Sequence, residues 1–431
     1  MIRRVLISGI FLWIVPTACF AQSVPAGKKL TLPEAEDIAL KNNPAISVAR
    51  LNALASRQVT RGVRSAYFPN SSINLTGVDS LDNSRITAGG LNNPIIYPRV
   101  AEGIIVSQLI TDFGRTPSLV ASARLGAMAD DESAQATVAQ IKLAVDQAFY
   151  AVLQSRAVLK VAEQTVSTRQ LLAEQVEALT KSKLKSDLDL SFANVNLAQA
   201  QLLLLDAQNQ EKAALAGLSA VLGFTTQQDF DVVDDIAPST APSQDLDSLV
   251  SQAVDHRPEL AALQFEWQSA QKFRDAERDL FRPSVRAVGT LGEAPIRADQ
   301  LNNRFGAVGF NIEIPVFNGF LFNARSKEAD LKAQAANQRL LDLKNRVVRD
   351  VRTAWLDANT TYSRLNVTKQ LADQADLALD LAQTRYNLGL GSIVELSQAQ
   401  VQATQAEIGN VAARYLYRLT EANLRFQTGL I

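Results

Sequence analysis

The chain has 431 residues, with 43 Lys and Arg against 44 Asp and Glu, one histidine and one cysteine. This balance argues against a nucleic-acid binder, which carries a basic excess. Zinc sites, Cys/His couples and Ser-His-Asp triads need more of these residues, or need His256 itself. His256 stands at a segment edge beside Arg257 and Pro258 and reads as a surface residue.

Residues 1–21 read as a signal peptide. Arg3 and Arg4 form a basic start, "VLISGIFLWIV" is an apolar stretch too short to span a bilayer, and Ala21 closes a small-residue cleavage site. Cys19 falls inside this segment, and Pro16-Thr17-Ala18 before it is a poor context for lipidation. Its removal leaves 41 basic residues against 44 acidic ones and no cysteine, which fits an exported chain stabilised without disulfides. No later stretch is a transmembrane helix.

After it the hydrophobic period alternates. In "YFPNSSINLTGV", Tyr67, Ile73 and Leu75 share one face, with Asn70, Ser72, Asn74 and Thr76 opposite. "GIIVSQLITDF" and "PSVRAVGTLG" alternate less cleanly. "RFGAVGFNIEIPVF" sets Val308, Phe310, Ile312 and Ile314 against Asn311 and Glu313. Four strands of about ten residues in two hairpins suit tilted membrane-crossing strands. A small soluble sheet with one buried face is the alternative.

Two proline-free blocks follow these hairpins, between Pro117 and Pro238 and after Pro315. Both are rich in helix formers. Val347, Val351, Ala354, Ala358 and Leu365 recur at coiled-coil spacing. A single helix from Arg115 to Lys181 is roughly 100 Å long, too long for a compact domain. Gly114 and Gly319 stand at the strand-to-helix junctions, where the chain must turn sharply.

The halves correspond. Pro44 and Pro69 match Pro258 and Pro283, while Val145, Ser186, Leu190, Ala193 and Gly223 match Val351, Ser392, Leu396, Ala399 and Gly429. The reading is two tandem repeats, 22–235 and 249–431, joined by a linker at 236–248. Gly389 and Gly391 in "YNLGLGSIVELSQAQ" mark the tip of a helical hairpin, with Ser392 and Glu395 as a capping box. The first repeat has Lys183-Leu184-Lys185 there, and keeps the cap in Ser186 and Asp189.

Four strands cannot close a barrel, and an open sheet in lipid leaves edge groups unpaired. Three chains bring twelve strands to one shared barrel with a polar lumen. The fold class is therefore α+β, mainly α: long antiparallel coiled-coil hairpins carrying four strands per chain.

With "LTLPEAEDIALKNNPAISVAR", "LITDFGR", "IEIPVFNGF" and "RYNLGLGSIVELSQAQ" in this order and spacing, the mature chain resembles the TolC-type outer-membrane efflux protein family. The resemblance implies a homotrimer embedded in outer-membrane lipid, with an α-helical tunnel through the periplasm. It also implies a periplasmic membrane-fusion adaptor and an inner-membrane pump of RND or ABC type. By this analogy Lys183, Leu184, Lys185, Gly389, Leu390 and Gly391 meet the adaptor. Asp189, Glu395 and Gln398 restrict the tunnel, Phe192 being a further inward-pointing candidate. An axial ring of Glu395 carboxylates would attract cations; capping its own helix is the plainer role for Glu395.

The expected function is passive exit of small toxic molecules. Export of polypeptides in a type I secretion system is the alternative within the family, and a non-pore periplasmic coiled-coil scaffold the alternative outside it. An enzyme is the weakest reading, because the chain lacks a phosphate loop, a metal cluster and a credible triad. Acidic pairs such as Asp130-Asp131 and Asp234-Asp235 read as solvated surface. No cofactor, metal or nucleic acid is expected.

Overall fold

The computed structural model describes residues 29–81, 98–234, 240–242, 245–295 and 302–431. The signal-peptide reading with Cys19 and most of both strand-connecting loops lie outside these residues, as does part of the linker. α1 (Leu32–Asn42) and α2 (Pro44–Arg64) follow a two-residue strand β1 (Lys29–Leu30). A hairpin of β2 (Asn70–Val78) and β3 (Arg99–Thr111) leads to α3 (Arg115–Lys181) and α4 (Asp187–Val221). The second half runs through β4 (Asp231–Val232), α5 (Leu246–His256), α6 (Pro258–Arg278), β5 (Ser284–Glu293) and β6 (Arg304–Glu313) to α7 (Leu321–Asn387) and α8 (Ile393–Gln427). α3 and α7 have 67 residues each, and α4 and α8 have 35 each. α5 begins inside the segment read as a linker. No helix among the described residues is long and apolar enough to cross a membrane.

The four expected strands form one antiparallel sheet in the order β2-β3-β5-β6. Its register aligns Ser72, Ile105, Thr290 and Ala307 across the four strands. Strand alternation then sorts the faces. Asn70, Ser72, Asn74, Ser107, Arg286, Asn311 and Glu313 share one, and Ile73, Leu75, Ile104, Val106, Leu291, Val308, Phe310 and Ile312 share the other. The apolar face has no cover: Val308 is 87% exposed and Ile73 77%. A small soluble sheet would bury one face within the chain, whereas here the apolar side chains are open. β2 and β6 each have one neighbour and remain edges.

Strands pass into helices through the same local device twice. Asp112 accepts from Thr116 N (2.7 Å) and Thr116 Oγ1 (2.5 Å), while Asn318 Oδ1 accepts from Phe322 N (3.4 Å). Between cap and helix the backbone turns left-handed at Phe113 and Gly114 in one half, and at Gly319 and Phe320 in the other. Gly114 has φ +122°, which disfavours any side chain, while the nearest atom to an added Cβ, Asp279 Oδ2 at 2.8 Å, is the movable end of a side chain.

α3 packs along α4, α2 and α6, and α7 along α8 and α6, giving two long helical hairpins side by side. Val347, Val351, Ala354 and Ala358 are buried, as their spacing implies, and Leu365 is half-buried. At mid-length a core of Phe149, Val152, Leu218, Leu222 and Phe230 gathers α1, α3, α4, α8 and the small parallel β1–β4 pair. Asp146 of α3 sits at its edge, 4% exposed, with Oδ1 lacking a hydrogen-bond partner. Burial, then the Glu36 charge and a hydrogen bond to Glu36, push its carboxyl up to about 7.

Candidate functional site

The far ends of the hairpins are built from helix-ending chemistry. α7 closes with Gly389 N donating to Tyr386 O (3.1 Å) and Leu390 N to Arg385 O (2.8 Å). This paired wrap needs a left-handed residue, and Gly389 supplies φ +75°. The α3 tip makes the same wrap: Lys183 N donates to Thr180 O (2.9 Å) and Leu184 N to Leu179 O (2.9 Å). Lys183 adopts φ +59° there, a conformation that disfavours side chains. Lys183→Gly is expected to tighten the tip by about 0.5–1 kcal/mol, read as about two- to fivefold slower amide exchange at Leu184. Unchanged exchange would show that Lys183 carries no strain. Gly391 serves differently, by close approach: a Cβ would sit 3.3 Å from Arg385 Cβ and from Tyr386 N.

The returning helices start on serine caps. Ser186 and Asp189 form a complete capping box, with Asp189 N to Ser186 Oγ at 3.2 Å and Ser186 N to Asp189 Oδ2 at 3.1 Å. In the second tip only half of the expected box forms. Ser392 Oγ accepts from Glu395 N (3.1 Å), but the Glu395 carboxylate turns to Arg385 Nε, 3.3 Å away. A cation within reach outcompetes a backbone amide for a carboxylate. Arg385 also donates to Leu390 O (3.3 Å), fastening the turn.

Lys183, Leu184, Gly389 and Leu390 are all open to solvent, and Leu184 and Leu390 are 71% and 70% exposed. With Leu188 and Leu388 they make an apolar crown, the kind of surface that marks a contact site. Gln398 and Glu395 are exposed, while Asp189 is partly covered. Phe192, read from sequence as pointing inward, is half-buried against the core joining the two tips.

That core contains Leu172, Val176, Ala193, Tyr386, Ile393 and Leu396, so it binds the first hairpin to the second. Tyr386 is the residue that sequence reading missed. Its ring is buried, its hydroxyl has no hydrogen-bond partner, and Lys185 Nζ lies 3.9 Å from its centroid. Burial, then the charge of Asp189, raises its hydroxyl pKa. Its signal was an aromatic immediately before "NLGLG". Arg385, also missed, adjoins it.

Beyond the tip core lies a buried polar layer. Asn196 Nδ2 donates to Ser397 Oγ (2.8 Å), and Arg169 donates to Asn196 O (3.0 Å) and Thr404 Oγ1 (3.4 Å). Burial lowers the Arg169 pKa. Arg169, Gln400, Glu407 and Asp376 line a cavity of about 120 Å³. Among the described residues no three His, Cys, Asp or Glu side chains are grouped to hold a metal, and exposed His256 ends α5.

A family model described as "Outer membrane efflux protein" matches residues 36–224 and 249–430. The outer membrane protein TolC of Escherichia coli (strain K12) is 27% identical over 142 residues, a match covering 33% of this chain and 29% of that protein. TolC of Vibrio cholerae is 26% identical over 414 residues, covering 93% of this chain and 91% of that one. The crystal structure of the outer membrane protein VceC from Vibrio cholerae superposes with a TM-score of 0.80 over 92% of this chain and 96% of that chain. At 18% identity that likeness carries the fold alone.

Proposed function

Because the chain belongs to the outer membrane efflux protein family, we propose that it is the outer-membrane exit duct of a tripartite export system. Three copies join their sheets into one barrel of about twelve strands. The halves 22–235 and 249–431 act as tandem units around the tunnel, a reading supported by the equal lengths of α3 and α7 and of α4 and α8. One observation carries the reading most. A sheet with an open apolar face continues into 67-residue helices, each about 100 Å long. Such a molecule fits lipid at one end and reaches through an aqueous space at the other.

In this reading the tip residues Lys183, Leu184, Lys185, Gly389, Leu390 and Gly391 meet a periplasmic adaptor, and the exposed leucines favour the contact. Asp189, Glu395 and Gln398 lie at the tunnel aperture. Glu395 and Asp189 already serve Arg385 and Ser186 within the chain, so widening the aperture draws on those bonds. An inner-membrane pump selects the cargo, and small toxic molecules are the expected class. The duct needs no catalytic residue and no cofactor.

The test is photo-crosslinking from a probe at Leu390 in living cells, with identification of the captured protein. A periplasmic adaptor linked to an inner-membrane pump is the expected catch. Capture of the adaptor from positions outside the tips but not from Leu390 would refute the docking assignment.

A further inference from the structure

We propose that the cavity of about 450 Å³ where the sheet passes into the long helices binds small organic anions with an aromatic body, through Arg286 and Arg115. As a station for departing cargo the site rests on the exit-duct reading; as a binding site it is built within one chain. Three cross-strand pairs of the polar face form its floor: Asn70–Ser107, Leu109–Arg286 and Ser284–Glu313. Strand alternation points the Arg286 side chain to that face, and so into the cavity. Phe68, Leu119 and Phe322 wall it, with Phe322 held edge-on by Phe281 at 5.8 Å between ring centroids. A space of this size suits a molecule of two rings.

The charges around the cavity select the ligand. Three arginines and three acids line it, and they are unequally engaged. Asp112 accepts from Thr116 N and Oγ1, and Asp279 pairs with Arg282 Nε (3.2 Å). Arg282 also donates to Phe113 O. Arg115, Arg286 and Glu313 remain, and their side chains make no hydrogen bond or ion pair among the described residues. Two free guanidinium groups against one free carboxylate leave an excess of positive charge. A guanidinium meets a carboxylate or sulfonate with two parallel N–H donors. Because Asp112 already covers the first turn of α3, the anion is left to the arginines. The apolar wall then favours an anion carrying a ring over an inorganic one.

The floor faces the same way as Ser72 and Asn311, the side that the exit-duct reading turns to the lumen. Each chain contributes one such cavity where the strands end and the helices begin. Three copies therefore set three stations around the passage.

Photolabelling of the full chain in detergent with para-benzoylbenzoate, an aromatic carboxylate whose excited ketone bonds to nearby C–H groups, tests this. Peptide mapping is expected to find saturable adducts at Phe68, Leu119 or Phe322. Labelling below saturation should fall at least about fivefold in Arg286→Gln and in Arg115→Gln. Arg304→Gln, at the far end of the sheet, should label as wild type. The uncharged para-benzoylbenzamide should label the wild type at least about fivefold less than the acid does. Far-UV circular dichroism identifies any variant that fails to fold; the other arginine variant then decides, or the acid–amide comparison on wild type if neither folds. Adducts that never saturate overturn the proposal, as does equal labelling by acid and amide or full labelling of a folded Arg286→Gln. None of these outcomes bears on the exit duct, whose own test is capture from Leu390.

Discussion

Asp146→Asn is expected to raise the apparent unfolding midpoint at pH 8 and to leave it nearly unchanged near pH 4. The Asp146 carboxyl is held up at about 7 against an ordinary 3.8, with burial first among the causes and Glu36 of α1 second. Arg425 of α8 and Lys142 of α3 pull the other way without restoring the ordinary value. The folded chain therefore favours the protonated form. That contribution is full below about 3.8, and it is lost progressively as pH rises toward about 7. Asparagine keeps the shape of the protonated acid and removes the charge. At pH 8 the gain should be on the order of 2–4 kcal/mol. Thermal scans of both proteins across pH 4–8 provide the check. A variant less stable than wild type at pH 8 would mean that the ionised carboxylate is needed, with Arg425 as its partner.

Val308→Arg is expected to abolish assembly in the outer membrane, while Asn311→Arg on the same strand is tolerated. The two residues lie three apart on β6 and point to opposite faces of the sheet. Val308 belongs to the open apolar face and Asn311 to the polar one. In lipid, a mid-bilayer arginine costs about 2–4 kcal/mol per chain, and symmetry repeats that cost in every copy. A charge facing a water-filled lumen is solvated and costs little. Envelope fractionation with a heat-modifiability gel separates the outcomes. Equal assembly of both variants would place neither face against lipid.

The long helices were legible because prolines, capping serines and Ala/Leu-rich runs agree over dozens of residues. α3 runs from Arg115 to Lys181 as the sequence implied. The strands were legible from alternation, clean in β2 and β6 and looser in β3 and β5. Other features depend on contacts distant in sequence. Nothing local marks Lys29–Leu30 as a strand, because its partner is Asp231–Val232, some 200 positions away. The capping box at Glu395 failed because Arg385, on the preceding helix, comes close enough to take its carboxylate. Tyr386 reads as one more aromatic on an α7 face until the first hairpin covers it. The cavity lined by Arg169, Asp376, Gln400 and Glu407 draws residues from three helices, and no short motif announces it.

An exit duct of this kind requires neighbouring chains to close one barrel through β2 and β6, the two edges of the sheet. The decisive measurement is disulfide trapping between these edges in the membrane. Cys19 is the only native cysteine and lies in the segment read as a signal peptide, so introduced cysteines report alone. Ser72→Cys on β2 would be combined in turn with cysteine at Phe305, Ala307, Gly309 and Asn311 on β6. One combination is expected to give a covalent, SDS-resistant species of three chains. Monomers at every combination, or a ladder extending beyond three chains, would overturn the shared barrel.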